Sequence, residues 1–267
     1  MVKAIVAGAA GRMGKRIIHM IHQNREIALA GALDRPDHPS VNQDAGQVAG
    51  VGELGIPIVD SLEQVIQQGE VLIDFSNPEA TLKNIRMVVL KRLAMVIGTT
   101  GITGDRLKEV QTLARKIRCV MAPNMSVGVN VMFKIAAEMA RILGKDYDME
   151  ILEIHHRTKM DAPSGTAMRL GQILAEAVGR DLEKVGVYRR KGIIGERTDE
   201  EIGLQTWRAG DNIGEHTVVF GGTGERLELI HRAHSRDNFA RGAIRAALWL
   251  VKQPKGLYDM LDVLGLR

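Results

Sequence analysis

Short, nearly continuous apolar runs at residues 1–7, 27–33, 56–59, 71–75, 94–97 and 118–121 alternate with stretches of helical spacing at 15–22, 61–68, from 78 onward and up to 117. A run with no polar side is a strand buried on both faces, and regular strand–helix alternation predicts an α/β fold, a Rossmann-like doubly wound parallel sheet. Residues 36–52 interrupt the alternation and are expected to form a mobile loop. From residue 131 the pattern changes. An amphipathic helix at 131–143 is followed by longer strands, 148–156, 185–190, 204–209, 215–221 and 226–233, with a helix at 168–178 among them. These predict a second α+β domain with a mixed or antiparallel sheet, in which 210–214 and 222–224 serve as hairpin connections. A strongly apolar helix at 241–251 follows.

The first strand runs into Gly8-Ala9-Ala10-Gly11-Arg12-Met13-Gly14 and then into a helix. Gly8 and Gly11 allow the backbone to turn and approach a pyrophosphate, and Gly14 allows the helix to pack on the strand. Ala10 stands where the second glycine of the common dinucleotide fingerprint belongs, so the turn alone is a weak signal. Its context is stronger, because Asp34 ends the next strand where an acid commonly accepts from the adenosine ribose. Arg35 beside it suits a 2′-phosphate, so NADH and NADPH are both expected as cofactors. In such a sheet ligands lie at the carboxyl ends of the strands, which makes Gly98-Thr99-Thr100 and Ala122-Pro123-Asn124-Met125 candidate cofactor loops. The same residue types also make ordinary turns.

The densest chemistry lies in Glu153-Ile154-His155-His156-Arg157-Thr158-Lys159-Met160-Asp161-Ala162-Pro163-Ser164-Gly165-Thr166. Strand alternation sends His155 and His156 to opposite faces, a poor arrangement for chelating one ion, and no metal is expected. Glu153 shares the face of His155 and is placed to orient its ring. Lys159 follows His155 by four residues and reaches the same pocket if the chain turns. Ser164 or Thr166 is a natural cap for the next helix, whose first N–H groups suit a carboxylate.

This segment resembles the signature of the dihydrodipicolinate reductase family, and the glycine turn ending in Gly-Arg-Met-Gly resembles that family's first loop. The resemblance implies NAD(P)H-dependent reduction of a cyclic, unsaturated imine dicarboxylate on the diaminopimelate route to lysine. It implies His155 and Lys159 as proton donors, and His156, Gly165 and Thr166 as carboxylate contacts. The loops at Gly98, Thr99 and Thr100 and at Ala122 to Met125 would face the nicotinamide half of the cofactor. It also implies a homotetramer, and a division into residues 1–128 with 236–267 for the dinucleotide and 129–235 for substrate and assembly.

Composition narrows the partners. The formal charge is +4 and aromatics make up 3% of the chain, so a small anionic ligand fits better than nucleic acid. The basic run at residues 188–191 reads as a solvated loop. One cysteine, Cys119 in an apolar strand, excludes a disulfide framework and fits a reducing cytoplasm. No apolar run is long enough for a bilayer, so no membrane partner is expected. Two other readings stay open from residues alone: a non-catalytic NAD(H) sensor, which leaves His155 and Lys159 unexplained, and a different amino-acid-pathway dehydrogenase, which would be expected to show a reactive cysteine or another acid–base pair.

Overall fold

The computed structural model describes residues 1–267. The chain begins with β1 (Val2–Ala7), α1 (Arg12–His22), β2 (Ile27–Leu33), α2 (Ala45–Ala49), β3 (Ile58–Val59), β4 (Val71–Asp74), α3 (Pro78–Lys91), β5 (Ala94–Ile97), α4 (Gly104–Ala114) and β6 (Arg118–Met121). Next come α5 (Val127–Leu143), β7 (Asp148–His155), α6 (Gly165–Ala177), α7 (Leu182–Val185), β8 (Gly186–Val187), β9 (Ile202–Arg208), β10 (Glu215–Gly222) and β11 (Glu225–Arg232). The chain closes with α8 (Asp237–Leu250), β12 (Gly256–Tyr258) and α9 (Met260–Leu264). Met1–Val127 and Arg236–Arg267 form one compact unit, and Gly128–Ser235 forms another.

The first unit is a seven-stranded sheet in the order β12-β6-β5-β4-β1-β2-β3, parallel throughout. Its strands are mostly apolar because both faces are covered, with Lys3, Asp74 and Arg118 at strand ends or edges the exceptions. Ala4, Val6, Ile73 and Val96 enter one core with Ile17 and Ile18 of α1 and Ala243 and Ala247 of α8. Their neighbours Ile5, Leu72, Met95 and Ile97 enter the other, with Ile85 and Val88 of α3 and Val110 of α4. Burying each of the larger side chains contributes about 1.5–3 kcal/mol.

The glycine turn is dictated by space. Gly8 has φ +73°, and a Cβ there would lie 2.5 Å from the Phe75 carbonyl oxygen; at Gly14 it would lie 2.1 Å from the Gly8 carbonyl oxygen. Helix α1 therefore starts hard against the end of β1, and no side chain caps its first N–H groups.

Two local expectations need correction here. The segment taken as a mobile loop is organised by Asp44, whose carboxylate accepts from the backbone N–H of Gly46 (2.8 Å), Gln47 (3.0 Å), Leu54 (3.1 Å) and Ile56 (3.0 Å) and caps α2. Desolvation pushes the Asp44 pKa up, but these four donors outweigh it and hold the carboxyl below its usual range. Asp44→Ala is expected to lower stability by about 1–2 kcal/mol, read as a drop in urea midpoint with no change in slope. The helix expected at 61–68 is two 3₁₀ turns, Leu62–Gln64 and Ile66–Gln68. Val65 between them sits at φ −123°, outside helical space, because its side chain drops into the core against Gly31.

The second unit is a five-stranded mixed sheet in the order β11-β10-β7-β9-β8. β7, β9 and β8 run parallel, while β10 is antiparallel to both β7 and β11. On one face Met149, Ile151, Leu204, Val218 and Phe220 pack with Phe133 of α5 and Leu170 and Leu174 of α6. The turn after β10 is a hairpin, with Gly224 at φ +80°. The segment 210–214 is not one. β9 and β10 lie on opposite sides of β7, so this segment crosses the end of β7, and its glycines specified a turn without specifying a partner. Strand 185–190 also shrinks to Gly186–Val187, because Asp181 caps the helical turn α7 immediately before it. In the basic run beyond, Tyr188, Arg189 and Lys191 are exposed, whereas Arg190 is pinned, donating to both Glu150 oxygens (2.9 and 2.8 Å) and to Glu201 (3.0 Å).

Candidate active site

Near the carboxyl end of β7 the inner face of the mixed sheet turns from apolar to polar. Cross-strand pairing sets Leu204, Ile151 and Val218 in one row, Thr206, Glu153, His216 and His231 in the next, and Arg208 and His155 in the last. Glu153 is fully buried. Its Oε1 accepts from Ser164 N–H (2.9 Å), Thr206 Oγ1 (3.1 Å) and Arg208 Nη2 (3.0 Å), and its Oε2 is bonded to His155 Nδ1. Burial pushes its pKa up; the hydrogen bonds from His155, Arg208 and Ser164 outweigh this and hold the carboxyl down at about 2. Glu153 is thus a fixed anion. It occupies Nδ1 of His155 and leaves Nε2 as the nitrogen for chemistry. The crossing loop borders that atom, since a Cβ on Gly214 would lie 3.0 Å from His155 Nε2.

Lys159 Nζ donates to both oxygens of Asp161, at 2.7 and 2.8 Å. Arg208 also donates to the Asp161 carbonyl (2.7 Å), which ties the Lys159 turn to the carboxylate that holds His155. His156 lies on the other strand face, with Nδ1 2.7 Å from Thr158 Oγ1. Gly165 and Thr166 form the first turn of α6, and of the two expected caps Ser164 is the one used, its Oγ accepting from Ala167 N–H (3.2 Å).

In the first unit a cavity of about 410 Å³ is lined by Gly8, Gly11, Asp34, Arg35, Phe75 and Lys83 among others. Asp34 accepts from Ala10 N–H (2.8 Å) and Arg35 N–H (2.9 Å), which fixes its carboxylate at the mouth of the glycine turn. Arg35 Nε lies 3.2 Å from Asp37, with both side chains largely exposed. Arg12 and Met13 open α1, and Ala9 and Ala10 are buried beneath the turn. A glycine turn with no room for side chains, uncapped helix N–H groups and an acid at the end of β2 fit a dinucleotide's phosphates and ribose. Gly98, Thr99, Thr100 and Ala122 to Met125 follow β5 and β6 and do not line that cavity. Thr99 is buried, bonded to Thr81 (2.9 Å) and to Asp74 (3.2 Å). The Met125 side chain is in the core, so this residue has only its backbone to offer a ligand.

Sequence reading missed Thr206, Arg208, Asp161, His216 and Lys83. Only His216 carried a usable signal, since it alternates with Val218 and Phe220 on the face that must point inward. Glu153, His155 and His216 hold ligand-type atoms within 4.8 Å of one another. Both Glu153 oxygens are already engaged and the Arg208 cation is one of the partners, so the donor set does not suit a metal ion. Cys119 is fully buried and burial pushes its thiol pKa up, which removes it as a nucleophile.

A parallel sheet with a dinucleotide-type glycine turn in one unit, and a mixed sheet carrying a carboxylate-held histidine and a lysine in the other, define a nicotinamide-dependent oxidoreductase. The family described as dihydrodipicolinate reductase, N-terminus, matches residues 2–125, and dihydrodipicolinate reductase, C-terminus, matches residues 128–264. The chain belongs to the dihydrodipicolinate reductase family. It is 55% identical over 267 residues, all of both chains, to the 4-hydroxy-tetrahydrodipicolinate reductase of Syntrophus aciditrophicus (strain SB), and 56% identical over the same length to that of Geotalea daltonii. The dipicolinate-bound dihydrodipicolinate reductase from Paenisporosarcina sp. TG-14 is similar with a TM-score of 0.76 at 26% identity, covering 98% of each chain. Aspartate semialdehyde dehydrogenase II from Vibrio cholerae, with a TM-score of 0.58 at 11% identity over 95% of this chain and 99% of that one, shares the fold alone.

Proposed function

We propose that this chain is a 4-hydroxy-tetrahydrodipicolinate reductase, reducing the cyclic imine dicarboxylate to tetrahydrodipicolinate with NADH or NADPH. The observation that carries this reading is His155, buried, held through Nδ1 by the fixed anion Glu153, and followed by the first turn of α6. The bound dinucleotide supplies a hydride. Reduction of a conjugated C=C–C=N system leaves an enamine that must be protonated, and His155 Nε2 delivers that proton. Lys159 places positive charge toward the imine nitrogen and a carboxylate and serves as a second donor; Asp161 steers its side chain. His156, Gly165 and Thr166 hold the carboxylates, the last two at the positive end of α6. Gly8 to Met13, Asp34 and Arg35 hold the adenosine diphosphate half, and the loops at Gly98, Thr99 and Thr100 and at Ala122, Pro123, Asn124 and Met125 take the nicotinamide half. The purified protein should oxidise NADH or NADPH only when the enzymatically generated precursor is supplied; equal oxidation without it would remove the proposal.

Cofactor choice tests the first unit separately. Asp34 favours NADH through the ribose hydroxyls, and Arg35 offsets its repulsion of a 2′-phosphate. Arg35→Ala should weaken NADPH much more than NADH, and Asp34→Ala should do the reverse. Equal effects on both cofactors, measured by steady-state kinetics, would remove the pair from this role.

Homotetramer formation belongs to the same proposal, and the outer face of the mixed sheet supports it. Leu152, Ile154, Val219, Trp207 and Ile230 share that face, with Trp207 56% and Ile230 41% exposed, while α5 and α6 cover the opposite face. Light scattering of the purified protein gives the answer directly. No helix is long and apolar enough to cross a membrane. A cytoplasmic enzyme is part of the proposal.

A further inference from the structure

One member of the polar row has no part in the proposed chemistry. His216 stands on β10 directly opposite Glu153 of β7 and His231 of β11. It is 4% exposed, its Nε2 lies 3.1 Å from Ser164 Oγ, and its Nδ1 is buried without a hydrogen-bond partner. Its ring meets that of His155 edge to face, with centroids 5.2 Å apart and planes at 77°. A buried ring nitrogen left unpaired costs free energy, and a residue needed only to fill space would do better without nitrogens.

The other nitrogen shows what the ring is for. Ser164 is a three-way joint: its N–H donates to Glu153 Oε1 (2.9 Å), its Oγ accepts from Ala167 N–H (3.2 Å), and the same Oγ meets His216. The helix that begins at this joint and the strand that ends at His155 are therefore clamped to one frame. We infer that His216 is a positioning residue for the reaction, holding the first turn of α6 through Ser164 and closing the side of the His155 ring that Glu153 does not reach. The ring does this uncharged. Burial, with the positive charge of His155, His231 and Lys159, outweighs the pull of Glu153 and holds the His216 pKa down at about 3. A charged ring here would repel the imidazolium that the reaction needs at His155.

The inference rests on the reading that the first turn of α6 takes a substrate carboxylate, and isosteres test it. A glutamine amide reaches the position of Nε2, whereas an asparagine amide reaches only that of Nδ1. His216→Gln should keep KM for the precursor and Kd for pyridine-2,6-dicarboxylate within about threefold of wild type. His216→Asn and His216→Phe should raise both about tenfold, the size of one lost hydrogen bond, with the NADH Kd unchanged by fluorescence titration. In a Ser164→Ala background His216→Asn should add nothing further. Equal behaviour of Gln and Asn, or additive effects with Ser164→Ala, overturns the inference. Amide hydrogen exchange supplies a readout that needs no substrate. Protection of Ala167 N–H should survive in His216→Gln and fall in His216→Asn, and unchanged protection in His216→Asn overturns the inference whatever the protein reduces. Failure of the wild type to turn over the precursor or bind the dicarboxylate sinks the functional reading separately.

Discussion

With His155 replaced by Gln, kcat for imine reduction is expected to fall by about 10²- to 10⁴-fold while dinucleotide affinity stays unchanged. Glutamine fills much of the same space and places its amide at the position of Nε2, while Glu153 keeps its bonds to Ser164, Thr206 and Arg208, so the local frame survives. What it lacks is a ring nitrogen that can give up a proton to the substrate. The loss should therefore appear in kcat and in kcat/KM together, with little effect on the dissociation constant of pyridine-2,6-dicarboxylate. A kcat within threefold of wild type would show that the proton comes from elsewhere, and Lys159→Met would then be the variant that abolishes turnover.

Glu153→Gln is expected to be nearly as damaging for a different reason. The general acid is an imidazolium, with protons on both nitrogens, and Glu153 is the acceptor for the one on Nδ1. An amide can satisfy Ser164 and Arg208 with its oxygen, but this turns its NH₂ group toward Nδ1, where two donors face each other. His155 is then forced neutral, and kcat should drop by about 10²- to 10⁴-fold, the scale seen when an orienting carboxylate is made an amide in other acid–base sites. The same change leaves the half-buried Arg208 without its counter-charge, at a cost of about 3 kcal/mol in unfolding free energy near neutral pH.

The pH dependence of that stability difference has a definite sign. The Glu153 carboxyl has its pKa lowered from 4.5 to about 2, so it stabilises the fold above the unfolded value and loses this contribution as pH falls from 4.5 through 2. Urea unfolding of wild type and Glu153→Gln should differ most at neutral pH and converge in acid. A difference that grows on acidification would mean that Glu153 is not the anion described here.

The first unit was largely legible in the chain because its signals are local. Strands buried on both faces must be apolar throughout, and a helix that starts against a strand end must spend glycines at Gly8 and Gly14 where any Cβ would strike backbone. The Glu153-to-Thr166 segment was legible for a similar reason, since alternation and capping place Glu153, His155 and Ser164 within one contiguous stretch. Misreadings came where a short signal has two meanings. Glycine and asparagine at 210–214 mark a turn equally well whether the next strand pairs with the last one or passes beyond β7. Residues 36–52 looked mobile because the carboxylate that orders them, Asp44, works through backbone N–H groups that leave no trace in side-chain composition.

By itself the sequence determined the parallel α/β unit, the glycine turn, the acid at the end of β2, and a histidine sharing a strand face with a glutamate ahead of a capped helix. Each of these depends on residues within a few positions of one another, where strand and helix periods act directly. Only the tertiary structure decided that Arg208 and Thr206 from β9 and His216 from β10 converge on Glu153, and that Asp161 takes Lys159. Those contacts depend on which strands flank β7 and in what register, and strand pairing is settled by burial of whole faces and by loop closure across the chain.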